Sequence, residues 1–260
     1  MINKTIMAEA ATWTILFNAV KAGDTIIDEK KRSSFIKKIN WLITARKKIV
    51  VFGISGAGKS QFINSLKKTL NIPFRTTTTD NVNFDLEEFP IVFLDTPGHG
   101  ERHYERKQEV INIIKNGVEG IINVVSYGYE ENPNVDLTDI FDQHGEVKDS
   151  ALRLNRKVEV ERLAEWLPLI HPNNVGWIIN LVNKADLWWG TADIANSHYE
   201  NGDYGAAFKT IDNYTHVITL PYCSIIKPYY DRRTSGLYGE IQKEQMHDNL
   251  IHQLLNLLKE

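Results

Sequence analysis

The chain of 260 residues, 42% hydrophobic and 24% charged, is long enough to bury one large core and has the composition of a globular protein. Its formal net charge of −3 argues against a surface built to coat nucleic acid. A single cysteine, Cys223, excludes an internal disulfide, no Cys/His cluster has zinc spacing, and no run of apolar residues is long enough to span a membrane.

In chain order, residues 5–22 are expected to form a helix, with Ile6, Ala10, Trp13 and Phe17 at helical spacing and Gly23-Asp24 to end it. The apolar stretch 7–20 is interrupted by Glu9 and has only Lys4 before it, so it is not expected to be a secretory leader, and a cytoplasmic location is expected. Residues 30–46 predict a second helix with Phe35, Ile39 and Leu42 on one face. From Lys30 to Lys48 there are eight basic residues and no acidic ones. A solvated helix packed by its apolar face is the favoured reading; contact of residues 30–48 with an anionic membrane surface or RNA is the lesser one.

Residue 48 begins a different pattern. Short apolar, β-branched runs at 48–52, 91–94, 120–125, 177–182 and 216–220 predict buried parallel strands. Helical patterns lie between most of them, at 62–70, 103–116, 151–168 and 190–212, and a last helix at 238–259 places Ile241, Met246, Leu250, Leu254 and Leu257 among its apolar positions. Residues 81–86 carry a weak edge-strand signal. The alternation predicts an α/β fold, a mainly parallel doubly wound sheet flanked by helices. Residues 1–46 are then an N-terminal helical extension and 47–260 the main domain. Residues 127–150 hold seven acidic residues against one basic, Lys148, and are expected to form an acidic surface insertion.

Three motifs carry chemistry. The first, Gly53-x-x-x-x-Gly58-Lys59-Ser60, follows a predicted strand and opens a predicted helix. Glycines let backbone N–H groups close on a phosphate chain, and the helix N-terminus adds partial positive charge. Lys59 would reach the β- and γ-phosphates, the Ser60 hydroxyl would ligate Mg²⁺, and Gly53, Ser55, Gly56, Ala57, Gly58, Lys59, Ser60 and Gln61 form the expected contact set. The second, Asp95-Thr96-Pro97-Gly98, ends a strand. Asp95 would hold Mg²⁺ through a water, and the Gly98 N–H would sense the γ-phosphate. The third is Asn183-Lys184-Ala185-Asp186, again after a strand. Guanine offers two adjacent donors that one carboxylate, Asp186, accepts as a pair, whereas adenine has no such pair. Asn183 would brace the loop and Lys184 would lie along the base.

With these motifs in order, residues 47–260 resemble the P-loop regulatory GTPase class that includes translation factors and Ras-like proteins. The resemblance implies GTP and GDP as ligands, Mg²⁺ as cofactor, and a switch threonine among Thr76, Thr77, Thr78 and Thr79. Thr78 is favoured as a metal ligand and catalytic-site residue, and a β-prone strand edge accounts for at least two of the four. The resemblance also makes His99, after Gly98, the residue that orients the attacking water, and Ser224 a contact to the guanine oxygen from the loop after the last strand.

Hydrolysis of GTP by a nucleotide-dependent switch is the function expected. No arginine stands between Gly53 and Ser60, so slow turnover accelerated by a protein partner or a homodimer is expected. The alternative is a GTP-dependent docking or assembly module with negligible hydrolysis, working through its N-terminal basic helices.

Overall fold

The computed structural model describes residues 47–70, 76–77, 91–95 and 111–257, apart from 113, 172, 212, 214 and 233–237. The helices expected at 5–22 and 30–46 and the edge strand expected at 81–86 lie outside these residues, as does 103–110 of the helix expected at 103–116.

Six strands form one sheet: β1 (Lys47–Gly53), β2 (Thr76–Thr77), β3 (Ile91–Asp95), β4 (Val118–Val125), β5 (Val175–Val182) and β6 (His216–Pro221). Their order is β2-β3-β1-β4-β5-β6, and every pairing is parallel. The chain leaves β1 for one edge of the sheet, returns through β3 beside β1, and then builds outward on the other side. The order therefore reverses around β1, and a ligand crevice belongs at the carboxyl ends of the strands there. Two of the four consecutive threonines, Thr76 and Thr77, form β2.

Besides the helical residues 111–112 and 114–115, seven α-helices lie wholly among the described residues: α1 (Lys59–Leu70), α2 (Leu137–Ile140), α3 (Asp149–Trp166), α4 (Ala185–Trp188), α5 (Ala192–Asn201), α6 (Asp203–Phe208) and α7 (Glu240–Leu257). Strand side chains alternate between two cores. Ile49, Val51, Ile122, Val124, Ile179 and Leu181 meet Phe62 and Leu66 of α1 and Leu250 and Leu254 of α7. On the opposite face Val50, Phe52, Ile121, Ile178 and Val182 meet Leu163 and Trp166 of α3, Tyr199 of α5, and Tyr204 and Phe208 of α6. Each fully buried aliphatic or aromatic side chain contributes about 1.5–3 kcal/mol, so burial on both faces explains the nearly continuous apolar runs.

Asn123 and Asn180 stand opposite each other in β4 and β5. The Asn123 amide donates to Asn180 Oδ1 at 3.2 Å and to the Tyr204 hydroxyl oxygen at 2.5 Å, and Tyr204 donates to Asn180 at 2.8 Å. This buried polar triad fastens α6 to the sheet in one register.

Two expectations change in detail. The helix expected over 190–212 is two helices, because Gly202 closes α5 by donating to the Ser197 and His198 carbonyls and Asp203 begins α6. In α7 Met246, Leu250, Leu254 and Leu257 are buried, but Ile241, in the first turn, is 66% exposed.

The acidic segment 127–150 divides in two. Asp136, Asp139, Asp142, Glu146 and Asp149 are exposed, whereas Tyr127, Glu130, Ile140 and Phe141 are buried. Asp136 caps α2 by accepting from the Thr138 N–H, Phe141 pairs with Val147 in a short antiparallel bridge, and the Phe141 ring packs on Tyr229 and Tyr230. The segment thus folds onto the loop that follows β6.

Candidate functional site

The carboxyl ends of β1, β5 and β6 carry three loops that meet. After β1 the chain turns through Ile54, Ser55, Gly56 and Ala57 into α1. Gly58 takes a φ of +93°, and a Cβ there would stand 2.5 Å from the Asn183 amide nitrogen, so this position needs glycine twice over. Ser60 and Gln61 occupy the first turn of α1. The Lys59 ammonium folds back over the loop and donates to the carbonyls of Gly53 at 2.9 Å and Ile54 at 3.1 Å. A lysine held this way presents its charge at the mouth of a ring of backbone N–H groups, where an oligophosphate would sit.

Asn183 follows β5. Its amide donates to the Ala57 carbonyl at 2.9 Å, and its Oδ1 accepts from the backbone N–H and hydroxyl of Ser224, both at 3.0 Å. One buried side chain therefore joins the loops after β1, β5 and β6. Ser224 was expected against a guanine oxygen; here both of its donors turn to Asn183.

Lys184 takes a left-handed φ of +58°, and its ammonium donates to the Tyr129 carbonyl at 2.6 Å. Burial pushes its pKa down to about 8, while the carboxylates of Glu131 and Glu130 hold it up. Asp186 is buried in the first turn of α4. Its Oδ1 accepts from the Cys223 thiol at 3.3 Å and its Oδ2 from the Lys227 N–H at 3.1 Å. Burial raises the Asp186 pKa and these two donors oppose the rise. A carboxylate oxygen accepts two hydrogen bonds, so a side chain oriented from behind on both oxygens suits a ligand with two adjacent donors.

Asp95 ends β3 in register with Val51 of β1, two residues before Gly53. A carboxylate on that strand end and the Ser60 hydroxyl at the start of α1 are hard oxygen donors, the chemistry Mg²⁺ takes, so the residues fit that ion. Thr78, Gly98 and His99 lie outside the described residues.

Four contributors escaped the sequence reading: Tyr129, Glu131, Cys223 and Lys227. Glu131 pairs with Lys227 at 2.7 Å, and its N–H donates to the Gly56 carbonyl at 3.4 Å. Their signal was faint. Glu130 and Glu131 stood out only as members of an acidic segment, and Lys227 follows Ser224 by a spacing that means something only once the loop is folded.

The family model described as a 50S ribosome-binding GTPase matches residues 48–160, beginning in β1 and spanning the phosphate loop and the end of β3. The chain contains a P-loop GTPase domain. The sheet order, the lysine-bearing loop after β1 and the aspartate-bearing loop after β5 agree with that assignment, and guanine nucleotide is the ligand of the class. Among solved structures, this chain is similar to the signal recognition particle receptor SRb-GTP/SRX complex from Chaetomium thermophilum, at 16% identity and TM-score 0.38, covering 69% of this chain and 91% of that one. It is similar also to the small COPII coat GTPase SAR1 from Encephalitozoon cuniculi in complex with GDP, at 14% identity and TM-score 0.40, covering 97% and 96%. A GTP-binding protein from Sulfolobus solfataricus in complex with GDP matches at 15% identity and TM-score 0.35, covering 84% of this chain and 55% of that one. No curated protein is significantly similar in sequence.

Proposed function

We propose that this GTPase binds GTP with Mg²⁺, hydrolyses it slowly to GDP and phosphate, and acts as a nucleotide-dependent switch. The observation that carries the reading is the joint made by Asn183 between the Ala57 carbonyl and Ser224, which holds the phosphate loop and the guanine-side loops in one frame.

In this reading the Asp186 carboxylate accepts the two adjacent donors of guanine, and the buried Lys184 chain lines the base. Lys59 and the N–H groups of residues 55–61 bind the β- and γ-phosphates and stabilise charge that develops as the terminal bond breaks. Ser60 and Asp95, with Thr78, would hold Mg²⁺, which when bound neutralises phosphate charge. His99 orients water for in-line attack, and the Gly98 N–H registers the γ-phosphate. Loss of that phosphate releases the segments around Thr78 and 96–104. The loop Gly53–Ser60 brings no arginine, so a protein partner or a second copy of the chain supplies the acceleration.

Purified protein assayed for phosphate release from GTP tests the reading, with Lys59→Ala as the control. Turnover above blank that disappears in the variant supports it. Turnover at blank level in both, with GTP still bound, supports the docking or assembly module instead.

A further inference from the structure

Among the described residues, residue 131 touches the loops that follow β1, β5 and β6. Its backbone N–H donates to the Gly56 carbonyl at 3.4 Å. Its Oε2 accepts from the Lys227 ammonium at 2.7 Å, and its Oε1 lies 4.0 Å from the Lys184 ammonium. Lys227 in turn donates its backbone N–H to Asp186. The neighbours of Glu131 reinforce the arrangement, since the Tyr129 carbonyl accepts from Lys184 and the Glu130 carbonyl accepts from the Tyr229 hydroxyl at 3.0 Å. Gly56 has a φ of +80°, and a Cβ there would overlap the Glu131 carbonyl and stand 2.6 Å from its nitrogen, so the two loops are in close backbone contact.

Resting on the guanine-nucleotide reading above, we infer that Glu131 is a positioning residue of the nucleotide site: by holding Lys184 and Lys227 it fixes Asp186 against the phosphate loop and sets how slowly nucleotide leaves.

The charges support this. One carboxylate serves two ammonium groups, one of them on a side chain only 8% exposed. Removing it leaves Lys184 buried with less compensation, and an uncompensated buried charge is expensive. Glu131 is also the foremost of the charges that hold the Lys184 pKa up to about 8 against burial. The groups facing the Lys184 ammonium are Glu131, Glu130, Lys227 and Asp186, and of these only Lys227 pushes its pKa further down. Deprotonation of Lys184 ends its ion pair with Glu131, a loss that has already occurred where Glu131 is removed.

The test uses the full chain loaded with a fluorescent GDP analogue and chased with excess GDP, for wild type, E131Q, K227M and the double variant, with melting temperatures measured in parallel. E131Q and K227M are each expected to release nucleotide roughly tenfold faster, equivalent to about 1.4 kcal/mol. The double variant is expected to fall short of the product of the single effects, because both act through one contact. Release from wild type is expected to accelerate as pH rises past about 8, and in E131Q, where the ion pair is already lost, that rise is expected to be smaller. Release from E131Q at the wild-type rate, fully multiplicative single effects, or an undiminished rise with pH in E131Q overturns the inference. If E131Q does not fold, K227M alone decides between a faster and an unchanged rate. A wild-type chain that binds no GDP overturns the nucleotide reading itself, a result distinct from all of these.

Discussion

The Asn183 amide donates to the Ala57 carbonyl across 2.9 Å, joining the loop that would read the base to the loop that would hold the phosphates. Both groups are buried, and the other end of the same amide accepts twice from Ser224. Asn183→Ala therefore strands three polar groups at once. A buried group left without its partner costs about 1–3 kcal/mol, and backbone relaxation recovers part of the sum. Stability is expected to fall by about 2–4 kcal/mol and GDP affinity by at least roughly a hundredfold. Urea unfolding and GDP titration of the variant check both numbers. Weaker affinity with unchanged stability would mean that Asn183 touches the ligand without joining the loops.

Asp186 makes a sharper prediction about the base. Asparagine at 186 can keep one oxygen for the Lys227 N–H, but it presents an amide donor where the carboxylate presented an acceptor. Guanine loses the pairing for its exocyclic amine, whereas xanthine, with a carbonyl there, gains one. Asp186→Asn is expected to weaken GDP by roughly two to three orders of magnitude and to strengthen xanthosine diphosphate, because buried donor–acceptor mismatches discriminate strongly. Competition binding with the two nucleotides measures it. Equal losses for guanosine and adenosine diphosphates would remove Asp186 from base recognition.

The parallel strands and the placing of α1, α3 and α7 were legible because β1, β4 and β5 bury apolar residues on both faces and the helices bury apolar residues against them. The P-loop was legible for a related reason: Gly58 is constrained by its own φ and by Asn183, and both constraints leave a glycine in the sequence. The work of 129–131 was not legible. Its contacts use the Tyr129 and Glu130 carbonyls and the Glu131 N–H, groups that every residue type carries. Cys223 was equally silent, because a thiol that orients Asp186 looks in sequence like any buried cysteine.

Lys59 is held by two carbonyls of its own loop, so its substitution has two effects. Lys59→Ala removes the charge at the phosphates and leaves the Gly53 and Ile54 carbonyls without that donor. GTP is expected to weaken more than GDP, since the added phosphate brings further negative charge to the same ammonium. Calorimetric titration with both nucleotides measures the ratio, and an unchanged ratio would place the ammonium away from the γ-phosphate.

Glu159 predicts how stability follows pH. The side chain is buried behind the Ser126–Glu130 turn, where Oε1 accepts from the Ser126 N–H at 3.0 Å and the Gly128 N–H at 3.3 Å, and Oε2 accepts from the Tyr199 hydroxyl at 2.7 Å. Burial, and then the neighbouring Glu130 carboxylate, push its pKa well above the usual carboxylate range. The folded chain therefore keeps a proton that the unfolded chain releases near 4.5. The stabilisation is complete below that value and is lost as pH rises through the folded pKa, with a slope of up to about 1.4 kcal/mol per pH unit. His198, edge-on to Tyr199 and with its pKa pushed down by burial, works in the opposite sense, so wild type alone does not isolate the effect. Glu159→Gln does, because it cannot ionise: its oxygen keeps the Ser126 and Gly128 donors and its amide can donate toward Glu130, while the bond accepted from the Tyr199 hydroxyl is lost equally at every pH. Urea midpoints are expected to drop more between pH 5.5 and 8.5 for wild type than for E159Q. Parallel profiles would show that Glu159 is ionised in the folded chain across that range.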